Sequence, residues 1–210
     1  MSLMSKDDHA RVTAAIRKAE AQTSGEIHCV LAGASDGYFL AAASVLSAAV
    51  LLVSFPVALW FALRWSPLDA LVLSAAQILA LAASLLLIRL FPRLRLMVTP
   101  RRVRYRTAHA NAMRQFLARN VHVTEHRTGV LVFVSLAERY AAIIADSGIN
   151  AHVPQDTWNA IVGHLTNKAA KNHLADGFEE AIAAIGGLLA AKFPPRTDDR
   201  NELSDHLVEL

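Results

Sequence analysis

"LAAASVLSAAVLLVSFPVALWFALRWSPLDALVLSAAQILALAASLLLI", residues 40–88, decides how the rest of the chain is read. From residue 38 to residue 88 the Asp, Glu, Lys and Arg side chains are Arg64 and Asp69 alone. The two apolar runs, 40–63 and 70–88, each approach the roughly 20 residues that carry a helix across about 30 Å of hydrocarbon. "RWSPLD" between them holds a charge at each end, an interfacial tryptophan and a turn-forming Ser-Pro. The stretch is expected to be a helix–turn–helix hairpin spanning a membrane. Pro56 falls inside the first run, where spanning helices tolerate it.

The bulk numbers agree with that expectation. Of 210 residues 54% are hydrophobic and 19% charged, and the mean hydropathy is +0.32. An ordinary soluble domain is less apolar. The net charge of +3 is small, but Arg89, Arg93, Arg95, Arg101, Arg102, Arg104 and Arg106 crowd the end of the second run. Because arginines collect on the cytoplasmic side, the cluster sets the orientation. Two crossings return the chain to the side it left, so both termini are expected in the cytoplasm, in a multi-pass protein of the bacterial inner membrane. Residues 93–106 are then placed to meet anionic lipid headgroups. Nucleic acid is not expected as a partner: no aromatic beyond Tyr105 is interleaved with the arginines of 93–106, and the position of the cluster beside a spanning helix accounts for the charge. The first 37 residues lack the early apolar region of a cleavable signal peptide. With Cys29 as the single cysteine, no intramolecular disulfide can form.

The flanks read as one folded unit cut in two. Residues 5–22 carry Val12, Ala15, Ile16 and Ala19 at helical spacing behind a Ser5–Asp8 capping pattern, with Gly25 as the expected breaker. "EIHCVLA" (26–32) alternates as a strand, Ile27, Cys29 and Leu31 on one face and Glu26, His28 and Val30 on the other. A lone helix and strand cannot stand, and partners occur only beyond the hairpin. These are a helix over 101–119, a doubly buried strand over 129–136, a second hairpin strand over 140–146, a helix opening at Pro154 and another from Asp176 to Lys192. The expected fold is α/β, a small three-layer sandwich on a mixed sheet. Residues 1–32 and 101–194 form it, 33–100 insert the membrane hairpin, and 195–210 make a flexible polar tail.

"TSGEIHCVL", "AMRQF", "RTGVLVFVSLAERYAAIIADSGINAHVP", Trp158 and "LADGFEEAIAAIGGLL" together resemble a TPM domain. The resemblance covers residues 7–32 and 104–193. It implies a mixed sheet sandwiched by helices. In some relatives it implies calcium binding with weak acid phosphatase activity, and in others a part in assembly or repair of membrane complexes. Where the usual pattern has a Gly-rich turn, this chain reads "ADSGIN": Gly148 is kept and Asp146-Ser147 replaces small residues.

Several side chains are candidates for chemistry. Asp146, at the end of a strand, reads as a catalytic or metal-ligating carboxylate or as a turn and cap residue. Asp176, opening the last helix, is a second candidate ligand for calcium, which takes oxygen donors. Asp156 is accounted for by the dipole of its helix. "HVTEH" (His122, Glu125, His126) lacks the HExxH order of a zinc helix, and Cys29 shares the apolar face of its strand. No Ser-His-Asp spacing, phosphate loop or dinucleotide fingerprint is present. The expected function is a non-catalytic interaction, assembly or repair module at a membrane surface, with a membrane-protein partner. The alternative is a calcium- or magnesium-dependent acid phosphatase resting on Asp146 and Asp176.

Overall fold

A computed structural model describes residues 3–63, 70–124, 127–195 and 206–210. Two compact units emerge: Met1–Ser35 with Thr107–Leu210, and Asp36–Arg106. The boundaries fall a few residues beyond the 32/33 and 100/101 positions read from the sequence.

The first unit is the α/β domain. Its strands are β1 (Glu26–Ala32), β2 (Gly129–Ser135), β3 (Tyr140–Ala145) and β4 (Val208–Glu209), in the order β3-β2-β1-β4. β1 and β2 run parallel in full register from Glu26↔Gly129 to Ala32↔Ser135. β3 returns antiparallel beside β2, and β4 lies parallel to β1 on its other side. Parallel neighbours need a long crossover, and here the crossover contains the whole second unit.

Strand alternation sorts the core into two layers. Ile27, Cys29, Leu31, Val130, Val132 and Val134 face one way. They meet Val12 and Ile16 of α1 (Lys6–Glu20), and Trp158 and Leu165 of α7 (Gln155–Ala170). Phe178, Ile182, Ile185 and Leu189 of α8 (Leu174–Lys192) close the layer. Val30, Ala32, Leu131 and Phe133 face the other way, against Ala112 and Phe116 of α5 (Arg101–Ala118) and Val121 of a short 3-10 turn. Full burial of a side chain such as Phe133 or Ile182 stabilises the fold by about 1.5–3 kcal/mol. β1 and β2 are buried at every residue, as expected of strands covered on both faces.

Local chemistry fixes the ends. The Ser5 hydroxyl accepts from Asp8 N (3.1 Å) and donates to the Asp8 carboxylate (2.8 Å), so the cap expected at α1 is formed. Gly25 serves a purpose other than helix breaking. Its φ is not positive, and a Cβ there would meet Leu189 Cδ1 at 2.9 Å, so it admits close packing of α8. Gly186 does the same where α8 crosses α1, at 2.7 Å from Ala19 Cβ.

Two features differ from the sequence reading. The stretch after β3, expected as a turn, folds as a four-residue helix, α6 (Ser147–Asn150). The end of the stretch read as a polar tail, 195–210, supplies β4, because Leu207 is apolar enough to be buried in the first core layer.

The second unit holds α2 (Phe39–Leu63), α3 (Ala70–Leu90) and α4 (Pro92–Val98). α2 and α3 pack on one another, and their large apolar side chains point outward: Leu52 is 74% exposed, Phe55 72%, Ile78 69% and Leu79 70%. The span Phe39–Leu63 has a mean hydropathy of 2.3 and Val72–Leu90 one of 2.0. These are two helices long and apolar enough to cross a membrane. Three of their serines are satisfied within the helix: Ser44, Ser54 and Ser84 donate to the carbonyls of Ala41, Leu51 and Leu81 at 2.8–3.0 Å. α4 lies within the 33–100 insertion beyond the second apolar run, and Pro92 opens it at its first turn, where no amide is needed.

Candidate functional site

Asp146 is N-cap of α6, with φ −67° and ψ 164°. Its Oδ1 accepts from Ser147 N at 2.5 Å and from the Ser147 hydroxyl at 3.1 Å. Its own amide donates to Gly129 O (2.9 Å), which fixes it beside the first residue of β2. The residue is 8% exposed, and Oδ2 has no hydrogen-bond partner. The geometry is that of an Asx cap.

Asp176 is held differently. Oδ1 accepts from Arg11 Nη2 at 2.6 Å, His173 Nδ1 lies 3.3 Å from Oδ2, and Arg11 Nε also reaches Glu179 at 2.9 Å. The Arg11 hydrogen bond holds the Asp176 carboxyl below the usual carboxylate range. It thus ties α8 to α1 at the surface.

The structure does not bring Asp146 and Asp176 together. Asp146 marks the start of β2, whereas Asp176 shares a hollow with Leu136, which follows the end of β2. The seven-residue strand β2 separates them by roughly 20 Å at about 3.3 Å per residue. One ion about 2.3–2.6 Å from each ligand cannot bridge them. Among the described residues no three His, Cys, Asp or Glu side chains converge as a metal site.

The other candidates resolve in the same way. Asp156 sits in the first turn of α7, where the dipole favours it. His122 lies in the 3-10 turn with its ring 6.1 Å from that of Phe116. Glu125 and His126 lie outside the described residues. Glu26 and His28 are buried on the α5 side of β1. Cys29 is fully buried, and loss of solvation drives its thiol pKa far upward, so the thiolate needed for reactivity does not form.

The sequence reading missed the carboxyl end of the parallel pair, the end at which open sheets present ligand crevices. Ser35 N donates to Glu138 Oε1 (2.9 Å), the hydroxyls of Ser35 and Ser135 are 3.0 Å apart, and Ser135 donates to Glu138 Oε2. Glu138 is 2% exposed. A cavity of about 300 Å³ opens beside it, lined by Ser135, Leu136, Arg139, Tyr140, Leu165 and Thr166. The signal available in the sequence was a serine at or just beyond the end of each of two apolar strands, but serines at strand ends are too common to single out. The web offers hydroxyls and one buried carboxylate.

The geometry therefore defines an α/β domain with a mixed four-stranded sheet between helical layers, its chain interrupted by an apolar helical hairpin. A sequence profile of the TPM domain matches residues 92–188, just under half of the chain, and a TPM domain is present there. The match begins inside α4, after the hairpin. It leaves out α1 and β1, which the insertion separates from the rest of the domain. The BA42 protein from the psychrophilic bacterium Bizionia argentinensis, solved by NMR, has a similar fold. Its TM-score is 0.61 at 19% identity, over 100% of this chain and 97% of that one. No curated protein matches the sequence.

Proposed function

We propose that the chain is a two-span membrane protein whose TPM domain works as a non-catalytic binding module at the cytoplasmic membrane surface, in the assembly or repair of a membrane-protein partner. The observation that carries the reading is the outward apolar surface of α2 and α3. None of the most hydropathic window of Phe39–Leu63 is buried. Such a surface is stable in hydrocarbon and costly in water. Both ends of the hairpin lead into one domain, so that domain lies on a single side. The arginines at the end of α3 favour the cytoplasm. Arg93, Arg101, Arg102 and Arg106 are exposed and suited to anionic headgroups. Arg95 is engaged within its own unit: Nε donates to Ile88 O at 2.7 Å and Nη2 to Arg89 O at 3.3 Å, capping the carbonyl end of α3.

The metal-dependent phosphatase reading would require Asp146 and Asp176 to act on one ion, and their placement at opposite ends of β2 does not support it. Photo-crosslinking from exposed positions of α7 in native membranes tests the module. A discrete membrane-protein adduct is expected. Its absence, together with calcium- or magnesium-dependent hydrolysis of an aryl phosphate that disappears in Asp146→Ala, would reverse the assignment.

A further inference from the structure

β1 is central to the domain, yet its second edge is covered in an unusual way. Toward β2 it pairs over its whole length, Glu26 to Ala32. Toward β4 it pairs at Val30↔Val208 and Leu31↔Glu209 only. The last five residues nevertheless make a complete set of recognition contacts. Leu210 N donates to Leu31 O, and Gly33 N to Leu210 O, both at 2.9 Å. The Leu207 side chain, 3% exposed, enters the layer built by α1, α7 and α8. The Glu209 carboxylate accepts from Leu3 N and Met4 N, each at 2.9 Å, and lies 2.7 Å from His9 Nε2.

That carboxylate sits over two amides just ahead of the Ser5 cap of α1, where the helix dipole favours an anion. Leu207 and Glu209 share one face of the strand, as residues two apart must. A backbone ladder, an apolar pocket and an anion seat at period two are the parts of a strand-addition site.

We propose that the edge of β1 is a docking site for an extended segment of a protein partner carrying an apolar residue and, two positions on, a carboxylate. Residues Leu207–Leu210 occupy it in cis as an internal competitor. The proposal rests on the binding-module reading and names the class of partner. A segment tethered within its own chain is presented at an effective concentration on the order of mM. A two-pair ladder held mainly by that concentration is displaceable by a better ligand, whereas the seven-pair β1–β2 ladder is not. The site reads backbone, one apolar side chain and one negative charge, so a basic or a β-breaking segment does not fit.

The test uses the full-length chain in detergent and the labelled peptide DHLVEL, the sequence of residues 205–210. In the double variant Leu207→Ala/Glu209→Ala the internal competitor is weakened and the groove is untouched. Fluorescence anisotropy should show the peptide binding this variant at least about tenfold more tightly than the wild type. Peptides with Ala for the leucine or Gln for the glutamate should lose about as much. Retained protection of Cys29 against maleimide shows that the variant is folded. Equal affinity for both chains, or no binding by a folded variant, overturns the proposal. Dimerisation by light scattering on release of the tail also overturns it, since the edge then belongs to a second copy. Hydrogen exchange on the unmodified chain gives an independent reading. The Gly33 and Leu210 amides should exchange at least about a hundredfold faster than Val132; parity would make β4 a permanent strand and sink the idea. A partner captured in native membranes without peptide docking removes the groove and leaves the module standing. Docking without a captured partner does the reverse.

Discussion

Single residues hold this domain to tight tolerances, and glycines show it most directly. A Cβ on Gly129 would lie 2.0 Å from Val121 O and 2.8 Å from Val121 Cγ1. A backbone oxygen cannot step aside as a side chain can. Gly129→Ala should therefore cost about 3 kcal/mol, the upper end of overpacking. That lowers Tm by on the order of 6–12 °C in a domain of this size. Gly163, inside α7, has nothing within 4 Å of that position. Gly163→Ala should raise stability by about 0.8–1 kcal/mol through helix propensity alone. Thermal melts of the two variants check the pair, and equal shifts would contradict the packing account. Asp146 belongs to the same scale. As an N-cap its loss in Asp146→Ala should cost about 1 kcal/mol, while Asp146→Asn keeps most of the cap. Calcium should shift neither melt. The sequence showed the strand end and the glycine at 148 but could not choose between cap and ligand. That choice depends on which groups surround the carboxylate, and those come from distant parts of the chain.

Among the elements, the periodic ones were legible. Alternation in "EIHCVLA" and the apolar run "GVLVFVSL" marked β1 and β2, and helical spacing marked α1, α7 and α8, because each buries a regular face. The elements that escaped are short and lack a period. α4, α6 and β4 cover seven, four and two residues. What stabilises β4 is the waiting edge of β1 and the amides of Leu3 and Met4, nearly the full length of the chain away. The α1–α8 contact carries a pH prediction. The Arg11 hydrogen bond holds the folded-state pKa of Asp176 below the ordinary carboxylate range. A depressed carboxylate contributes stability above its unfolded pKa and loses it as pH falls through the folded value. The Tm difference between wild type and Arg11→Ala should thus shrink from about pH 5 to about pH 3. In Arg11→Ala the Asp176 carboxyl, followed by NMR, should titrate in the ordinary range. A difference that widens on acidification would contradict the ion-pair account.

For the whole molecule, the chain order is the main physical fact. One sheet is assembled from strands on either side of a long apolar insertion, with β1 before it and β2 after it in full parallel register. If the hairpin spans a bilayer, the sheet can close only when both flanks lie on one side. Cys29 is buried and inert, so the wild-type chain is a silent background for thiol labelling. The decisive measurement is labelling of Gln22→Cys, Ser66→Cys and Lys171→Cys variants in intact cells with a membrane-impermeant maleimide. The account predicts that position 66, between the two apolar runs of the sequence, reacts from outside. Positions 22 and 171 should react only after permeabilisation. Labelling of 22 and 171 from opposite sides, or of all three alike, would contradict it.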